Sequence, residues 1–414
     1  MDRTFAGPHG DAAAEARADR IRSRRVRLVV TLASLSAFGP LTTDMYLPSL
    51  PEVARGFGIG ASQAQLTLTA CLTGLAVGQM IAGPLSDTLG RRRPLLVCLA
   101  LFVVASAGCA LTTSVWELDA ARAVQGLTGA GGIVLARAIV RDLYSGNAAA
   151  RYFSVLAAVQ GVAPIAAPLI GGQLLRVAPW RGLFLVLAAI GALMLMAVTL
   201  WIPESAAVRA GGSALRATGR ALSALVRDRA FVGYALTGGF AMGALFAYIS
   251  ASSFVYEDLF GVSPQVYSLL FGLNSVGIMA ASSLNGWLLG RAGVRRMLTT
   301  GVVCVAVGGV AVLVAAVLGL GLPAIMPGMF VAVSSIGLIM PNTTALALSD
   351  HGSTAGTASA LLGLVQFAFG GLMAPVVGLG GVSAVPMAVA MAVLGAASAA
   401  TWLAVRRVAA PVTR

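Results

Sequence analysis

Lysine is absent from this chain, and all 28 basic residues are arginine. Charge of either sign is scarce: 10% of residues are charged, and Asp and Glu together number only 15. Soluble domains carry about 25% charged residues, so this scarcity excludes an ordinary water-facing globular enzyme. The missing lysine reads as a GC-rich coding sequence rather than a chemical requirement. Histidine occurs twice, at His9 in the N-terminal tail and His351 in a loop, which leaves no metal-binding cluster and no enzyme constellation. The four cysteines, Cys71, Cys98, Cys109 and Cys304, all fall inside apolar runs. They have neither metal-ligand nor disulfide spacing and read as small apolar fillers. No Walker A pattern is present, so ATP is not the expected energy source.

What the sequence has in quantity is apolar surface: 58% hydrophobic residues and a mean hydropathy of +0.89. A membrane-crossing helix needs about 20 mostly apolar residues. Such runs occur at approximately 27–47, 64–84, 94–112, 118–139, 153–175, 182–202, 231–253, 266–289, 297–319, 324–346, 356–378 and 385–405. The expected fold is therefore all-α, with twelve transmembrane helices. The weakest separation is between the ninth and tenth runs, where Gly319-Leu320-Gly321-Leu322-Pro323 is the only break. The first run has no small-residue cleavage site and ends in Pro48-Ser49-Leu50-Pro51, so it reads as a helix rather than a signal peptide.

A net charge of +13 could suit nucleic acid, but that requires basic residues gathered on one aqueous face. Here the arginines lie between apolar runs and point to the bilayer as the partner, not nucleic acid. Cytoplasmic loops retain positive charge. With the N-terminus inside, 24 arginines fall on the cytoplasmic side, three (Arg55, Arg176, Arg181) outside, and Arg122 within the fourth span. Both termini are expected in the cytoplasm.

The polar residues 1–25 read as a disordered tail. Residues 204–229, with Arg209, Arg216, Arg220, Arg227 and Arg229, read as a linker. It separates a first six-helix half, 26–203, from a second, 230–407. The halves repeat at an offset of 203 residues: Phe57-Gly58 matches Phe260-Gly261, Gly83 matches Gly286, Gly90 matches Gly293, and Arg92-Arg93 matches Arg295-Arg296. Duplicated units around a midplane site are a transporter architecture.

Several positions carry chemistry. Asp44, in Thr43-Asp44-Met45-Tyr46-Leu47-Pro48, is the only acidic residue well inside a sequence-defined span. A carboxylate at mid-bilayer costs about 2.5–3.5 kcal/mol and usually faces a cavity or partner. A site alternately wet and dry can take up and release a proton. Arg122 stays protonated, so it is expected to tune Asp44 or to hold a polar network with Gln125. Salt bridges to Glu117 or Asp119 are the structural alternative. Between the second and third spans, Gly83, Asp87, Gly90, Arg91 and Arg92 form a loop in which the glycines allow close backbone approach. Asp87 can latch onto an arginine or a helix N-terminus, and Asp142 is a candidate partner for Arg92. In the fifth span Pro164 and Pro168 remove backbone hydrogen bonds, and Gly161, Gly171 and Gly172 permit bending and packing. Candidate cavity residues are Tyr46, Gln79, Gln125, Tyr234, Phe246, Tyr248, Asn274, Asn342 and Gln366. Any of them could instead serve helix packing.

The Gly83–Arg93 loop resembles the signature of the major facilitator superfamily, with Thr88 in place of the usual basic residue. The Gly161–Gly172 segment resembles that superfamily's antiporter motif, with Ala167 replacing a glycine. Asp44-Met45-Tyr46-Leu47-Pro48, Arg122 with Gln125, Leu135-Ala136-Arg137-Ala138-Ile139-Val140-Arg141-Asp142 and Met340-Pro341-Asn342 resemble its Bcr/CflA-type drug:proton antiporters over residues 27–405. The resemblance implies a monomeric inner-membrane exporter of varied drug-like molecules, conferring antibiotic resistance. It also implies Asp44 as proton carrier and the proton gradient as energy source, with no cofactor. A proton-coupled nutrient symporter shares the fold and is the alternative.

Overall fold

The computed structural model describes residues 26–205, 222–349, 351 and 354–408. The tail 1–25 and most of the 204–229 linker lie outside the described residues. Of the linker, residues 222–227 are helical. Among the described residues there are helices and turns and no strand.

Among the described residues twelve helices are long and apolar enough to cross a membrane. They are α1 Val26–Phe57, α2 Ala61–Leu89, α3 Arg92–Leu111, α4 Val115–Leu143, α5 Arg151–Leu174, α6 Trp180–Trp201, α7 Arg229–Leu259, α8 Pro264–Ala292, α9 Val294–Val317, α10 Leu322–Leu348, α11 Thr357–Gly378 and α12 Ala384–Arg406. The short break between α9 and α10 is real, with Gly319 and Gly321 both at positive φ. At about 1.5 Å per residue, these helices match or exceed the roughly 30 Å of hydrocarbon they must cross.

The helices form two six-helix halves. Within the first, α2 packs along α4 and α3 along α6; within the second, α7 packs along α11 and α12, and α9 along α12. The halves meet through α2 against α11 and α5 against α8. Positive-φ glycines recur at the 203-residue offset, at Gly58 (65°) and Gly261 (67°), and at Gly90 (83°) and Gly293 (78°). The α2–α4 contact is backbone on backbone: a Cβ at Gly74 would lie 2.1 Å from the Ala123 carbonyl oxygen, and one at Gly126 would lie 2.0 Å from that of Cys71. Helix association in lipid favours such small residues. At the 203-residue offset from Gly74, Gly277 on α8 is equally confined, with Ser334 Oγ 2.0 Å from where a Cβ would sit.

Two spans are interrupted near the outer ends expected from the arginine pattern. α1 runs helically through Phe38–Asp44, makes a 3-10 turn at Leu47–Ser49, and resumes as Leu50–Phe57. Pro48 has no N–H to give the Asp44 carbonyl, so the regular hydrogen-bond ladder stops at Asp44. α7 ends in a π-helical stretch, Phe254–Leu259. It runs past the end near residue 253 that hydropathy gave, and so brings Glu257 into a span. Glu257 lies two residues from the end of α7, and among the described residues Asp44 remains the acidic residue well inside a span.

Candidate functional site

A cavity of about 430 Å³ lies between the halves. It is lined from α1, α2, α4 and α5 on one side and from α7, α8, α10 and α11 on the other, while α3, α6, α9 and α12 contribute no lining residue. Four hydrogen bonds between the described residues of the two halves lie at one end of the bundle, the end carrying the α1–α2 and α7–α8 loops. There Arg55 Nη1 pairs with Asp258 Oδ1 at 3.0 Å, Ser62 Oγ donates to the Pro375 carbonyl at 3.3 Å, and Thr69 Oγ1 to that of Gly371 at 3.0 Å. Gln265 Nε2 donates to the Gly172 carbonyl at 2.8 Å. Another bond between the halves, from Ser275 Oγ of α8 to the Pro164 carbonyl of α5, lies midway along those helices. Towards the opposite end the lining residues Arg137 and Ser359 are exposed. The cavity is thus sealed at one end and open at the other.

Asp44 lies in the wall of this cavity, at the break in α1. Its side chain is largely enclosed, 8% exposed, and Oδ1 accepts from Thr43 Oγ1 at 2.8 Å. Among the described residues no arginine pairs with it. Arg122 is instead fully buried and acts as a strut: Nη1 donates to the Thr42 carbonyl at 2.9 Å and to Gln125 Oε1 at 2.7 Å. Gln125 Nε2 continues to Ser106 Oγ at 2.8 Å. The guanidinium lies 4.6 Å from the Tyr46 ring centre, and Tyr46 OH reaches Thr67 Oγ1 at 2.9 Å. This network ties α1, α3 and α4 together immediately beside the Asp44 break. Among the described residues no carboxylate hydrogen-bonds into it: Glu117 closes a capping box with Ser114 at the start of α4.

The sequence-derived cavity set divides. Gln79, Phe246, Tyr248 and Gln366 line the cavity. Tyr46 and Gln125 do not, because the Arg122 network consumes them. Asn274 stands one layer back and donates to Tyr248 OH at 2.9 Å, which fixes the ring that does face the cavity. Tyr234 is buried beside Trp402, with ring centres 6.3 Å apart, and Asn342 Nδ2 donates to Asn285 Oδ1 at 2.6 Å. The lining residues not expected from the sequence include Arg137, Gln160, Phe271 and Phe367. Arg137 stood inside a quoted motif and Gln160 immediately before one, but nothing in their spacing marked the cavity-facing side.

The α2–α3 loop also differs from expectation in one pairing. Asp142 Oδ2 binds Arg91 Nε at 2.7 Å, not Arg92. Arg91 also reaches Asp87 Oδ1 at 2.6 Å and Ser86 Oγ at 2.5 Å. Partial burial works against its charge, but the bonds to Asp142 and Asp87 outweigh this and raise its pKa. Arg92 Nη2 instead donates to the Thr199 carbonyl at 2.7 Å. The Glu204 carboxylate accepts from the backbone N–H of Arg91 at 2.7 Å and of Arg92 at 3.2 Å, capping the start of α3. Gly90 is required there, since a Cβ would sit 2.8 Å from that carboxylate. Gly83 has no such role: its nearest neighbour is Val134 Cγ1 at 3.9 Å.

In α5, Pro168 lacks the N–H that would engage the Pro164 carbonyl. That freed carbonyl accepts from Ser275 Oγ of α8 at 3.2 Å. A Cβ on Gly171 would meet the Met45 carbonyl oxygen at 2.1 Å, and one on Gly172 would meet Ser268 Oγ at 2.3 Å. Gly161 has open space around it. The segment forms the seam of α5 with the α1 break and with α8.

The sequence pattern of the Major Facilitator Superfamily matches residues 32–375. An uncharacterized MFS-type transporter of Bacillus subtilis is 40% identical over 89% of this chain and 92% of its own. A bicyclomycin resistance protein homolog of Haemophilus influenzae is 33% identical over 84% of this chain and 88% of its own. The crystal structure of a bacterial homolog of the human lysosomal transporter Spinster superposes with a TM-score of 0.73 at 16% identity, covering 93% and 97% of the two chains.

Proposed function

Because this chain belongs to the major facilitator superfamily, in its Bcr/CflA-type branch, we propose that it exports small drug-like molecules across the inner membrane in exchange for protons. It is a membrane transporter and not an enzyme. Its two halves alternate access to the central cavity, with both termini in the cytoplasm and the monomer as working unit. The observation that carries this reading is the placement of Asp44: a carboxylate at a helix break, enclosed in protein yet in the wall of a cavity sealed at one end. Burial disfavours the charged form of a carboxylate and hydration favours it. Opening the sealed end would wet the α1 break from outside and let Asp44 take up a proton. Closing it again would expose the same group to the cytoplasm, where it releases the proton and substrate enters. The Arg122 strut holds the broken helix in register while this happens.

The proton gradient suffices as the energy source. One proton crossing 100 mV releases about 2.3 kcal/mol, and one pH unit adds roughly 1.4 kcal/mol. At about 1.4 kcal/mol per tenfold ratio, the sum sustains a concentration ratio of several hundred for a neutral substrate. No cofactor is called for.

The test is drug-induced proton release from energised everted vesicles, comparing wild type with Asp44→Asn at matched expression. The expected result is a drug-dependent collapse of the gradient that the variant abolishes. A response surviving unchanged in Asp44→Asn removes Asp44 as carrier. Drug uptake by wild-type vesicles without any proton movement overturns antiport.

A further inference from the structure

Two charged side chains line the cavity, Asp44 and Arg137, and the coupling cycle uses only the first. Arg137 lies on α4, 15 residues beyond Arg122, which is about 22 Å along the helix and towards the open end. Its Nη2 donates to Gln160 Oε1 of α5 at 3.0 Å, and Gln160 Nε2 donates in turn to the Ser36 carbonyl of α1 at 3.4 Å. The amide is therefore held with its oxygen towards the guanidinium, which braces one edge of Arg137 across three helices. Among the described residues no carboxylate lies within 4.0 Å of Arg137. Across the cavity the second half presents neutral polar groups, Thr344, Ser359 and Gln366, together with four rings, Phe246, Tyr248, Phe271 and Phe367. A guanidinium has five N–H donors in a planar fork matched to oxyanions, and Gln160 occupies only one of them.

We propose that Arg137, braced by Gln160, binds the anionic group of the transported molecule, and that the substrates are aromatic organic acids whose ring lies against α7, α8 and α11. The site is polar on one side, aromatic on the other, and has no counter-ion of its own at Arg137. That combination fits a carboxylate or sulfonate attached to a planar apolar body. It also sets the energetics of the exchange. A proton moving in against an anion moving out transfers two charges per cycle, so the membrane potential acts twice on each turnover. The inference deepens the exporter reading and relies on it for the direction of transport alone.

The experiment is equilibrium binding to the purified full-length protein in detergent, with no gradient. The probe is tritiated 1-naphthylacetate, and 1-naphthylacetamide is the neutral competitor of the same shape. Wild type is expected to bind the acid about tenfold or more tightly than the amide, the preference of a charge-assisted fork for an anion. Arg137→Gln should remove that preference while leaving amide affinity within about threefold, and Arg137→Lys should restore only part of it, because lysine lacks the fork. Gln160→Leu should reduce the preference to a lesser degree. Equal loss for acid and amide in Arg137→Gln marks a structural residue and overturns the proposal, as does wild-type protein that binds neither compound or binds the amide as well as the acid. If Arg137→Gln does not fold, an unchanged preference in both Arg137→Lys and Gln160→Leu overturns it instead. Because binding is read without a gradient, intact acid binding beside a failed vesicle assay would sink the exporter reading and leave the subsite standing.

Discussion

The two halves share one architecture and divide the chemistry between them. Every buried charged side chain among the described residues lies in the first half, at Asp44, Arg91 and Arg122. The fully buried polar residues of the second half are neutral, such as Asn274, Asn285 and Asn342, which pair with one another or with tyrosine. The cavity wall repeats the division. Both of its charges come from α1 and α4, and all four of its rings come from α7, α8 and α11. A duplicated fold thus allows one copy to specialise in charge while the other shapes an apolar surface. The difference follows from cost: a buried charge needs a dedicated network, and the Thr42–Arg122–Gln125–Ser106 chain supplies one in the first half only.

The sharpest way to break this contrast is to remove its largest element. Arg122→Ala leaves the Thr42 carbonyl and Gln125 Oε1 without a buried donor, and is expected to destabilise the protein by about 3 kcal/mol or more, read from unfolding midpoints in SDS titrations. In the second half, Asn274→Ala removes one neutral hydrogen bond and should cost about 1–2 kcal/mol in the same titration. Equal losses would show that the halves are not energetically distinct. Phe271 stacks on Tyr248 with ring centres 5.5 Å apart and planes 16° apart. Phe271→Ala is expected to weaken substrate binding about tenfold through the loss of ring contact, with proton release by Asp44 intact once substrate is saturating. A variant with unaltered affinity but no proton response would reverse the assignment of roles. The smallest effect belongs to Arg55→Gln. The Arg55 side chain is 66% exposed in its pair with Asp258, so its stability loss should stay below roughly 1 kcal/mol and vanish in high salt.

The positions of the helices were legible because each one must carry its own apolar length. That signal located all twelve, including the α9–α10 junction carried by Gly319 and Pro323. Asp44 was legible for the opposite reason, as a single costly exception within an apolar run. The cavity wall was far less legible. A polar side chain in a span must be satisfied, but the sequence does not say whether by a neighbour or by a cavity. Tyr234, Asn342, Tyr46 and Gln125 proved to be satisfied internally, whereas Gln79 and Gln366 face the opening. Arg137 looked like one more arginine of the kind that sets topology, and only the bond to Gln160, 23 residues away, places it at the cavity. The Arg91–Asp142 pairing depends on how α4 ends relative to α2, and Glu204 reaches the α2–α3 loop from more than a hundred residues downstream. Neither relation leaves a trace in local spacing.

The Arg55–Asp258 bridge carries a historical implication. The two residues are separated by 203 positions, the same interval that relates the duplicated halves, so they are one ancestral site seen twice and touching across the pseudo-twofold axis. In a symmetric dimer of the ancestral half, that site would have faced an identical copy of itself. Two arginines or two aspartates meeting there would have repelled. The attraction seen now was open only to copies that mutate separately, so this bridge belongs to the divergence of the two halves and not to the symmetric arrangement they share.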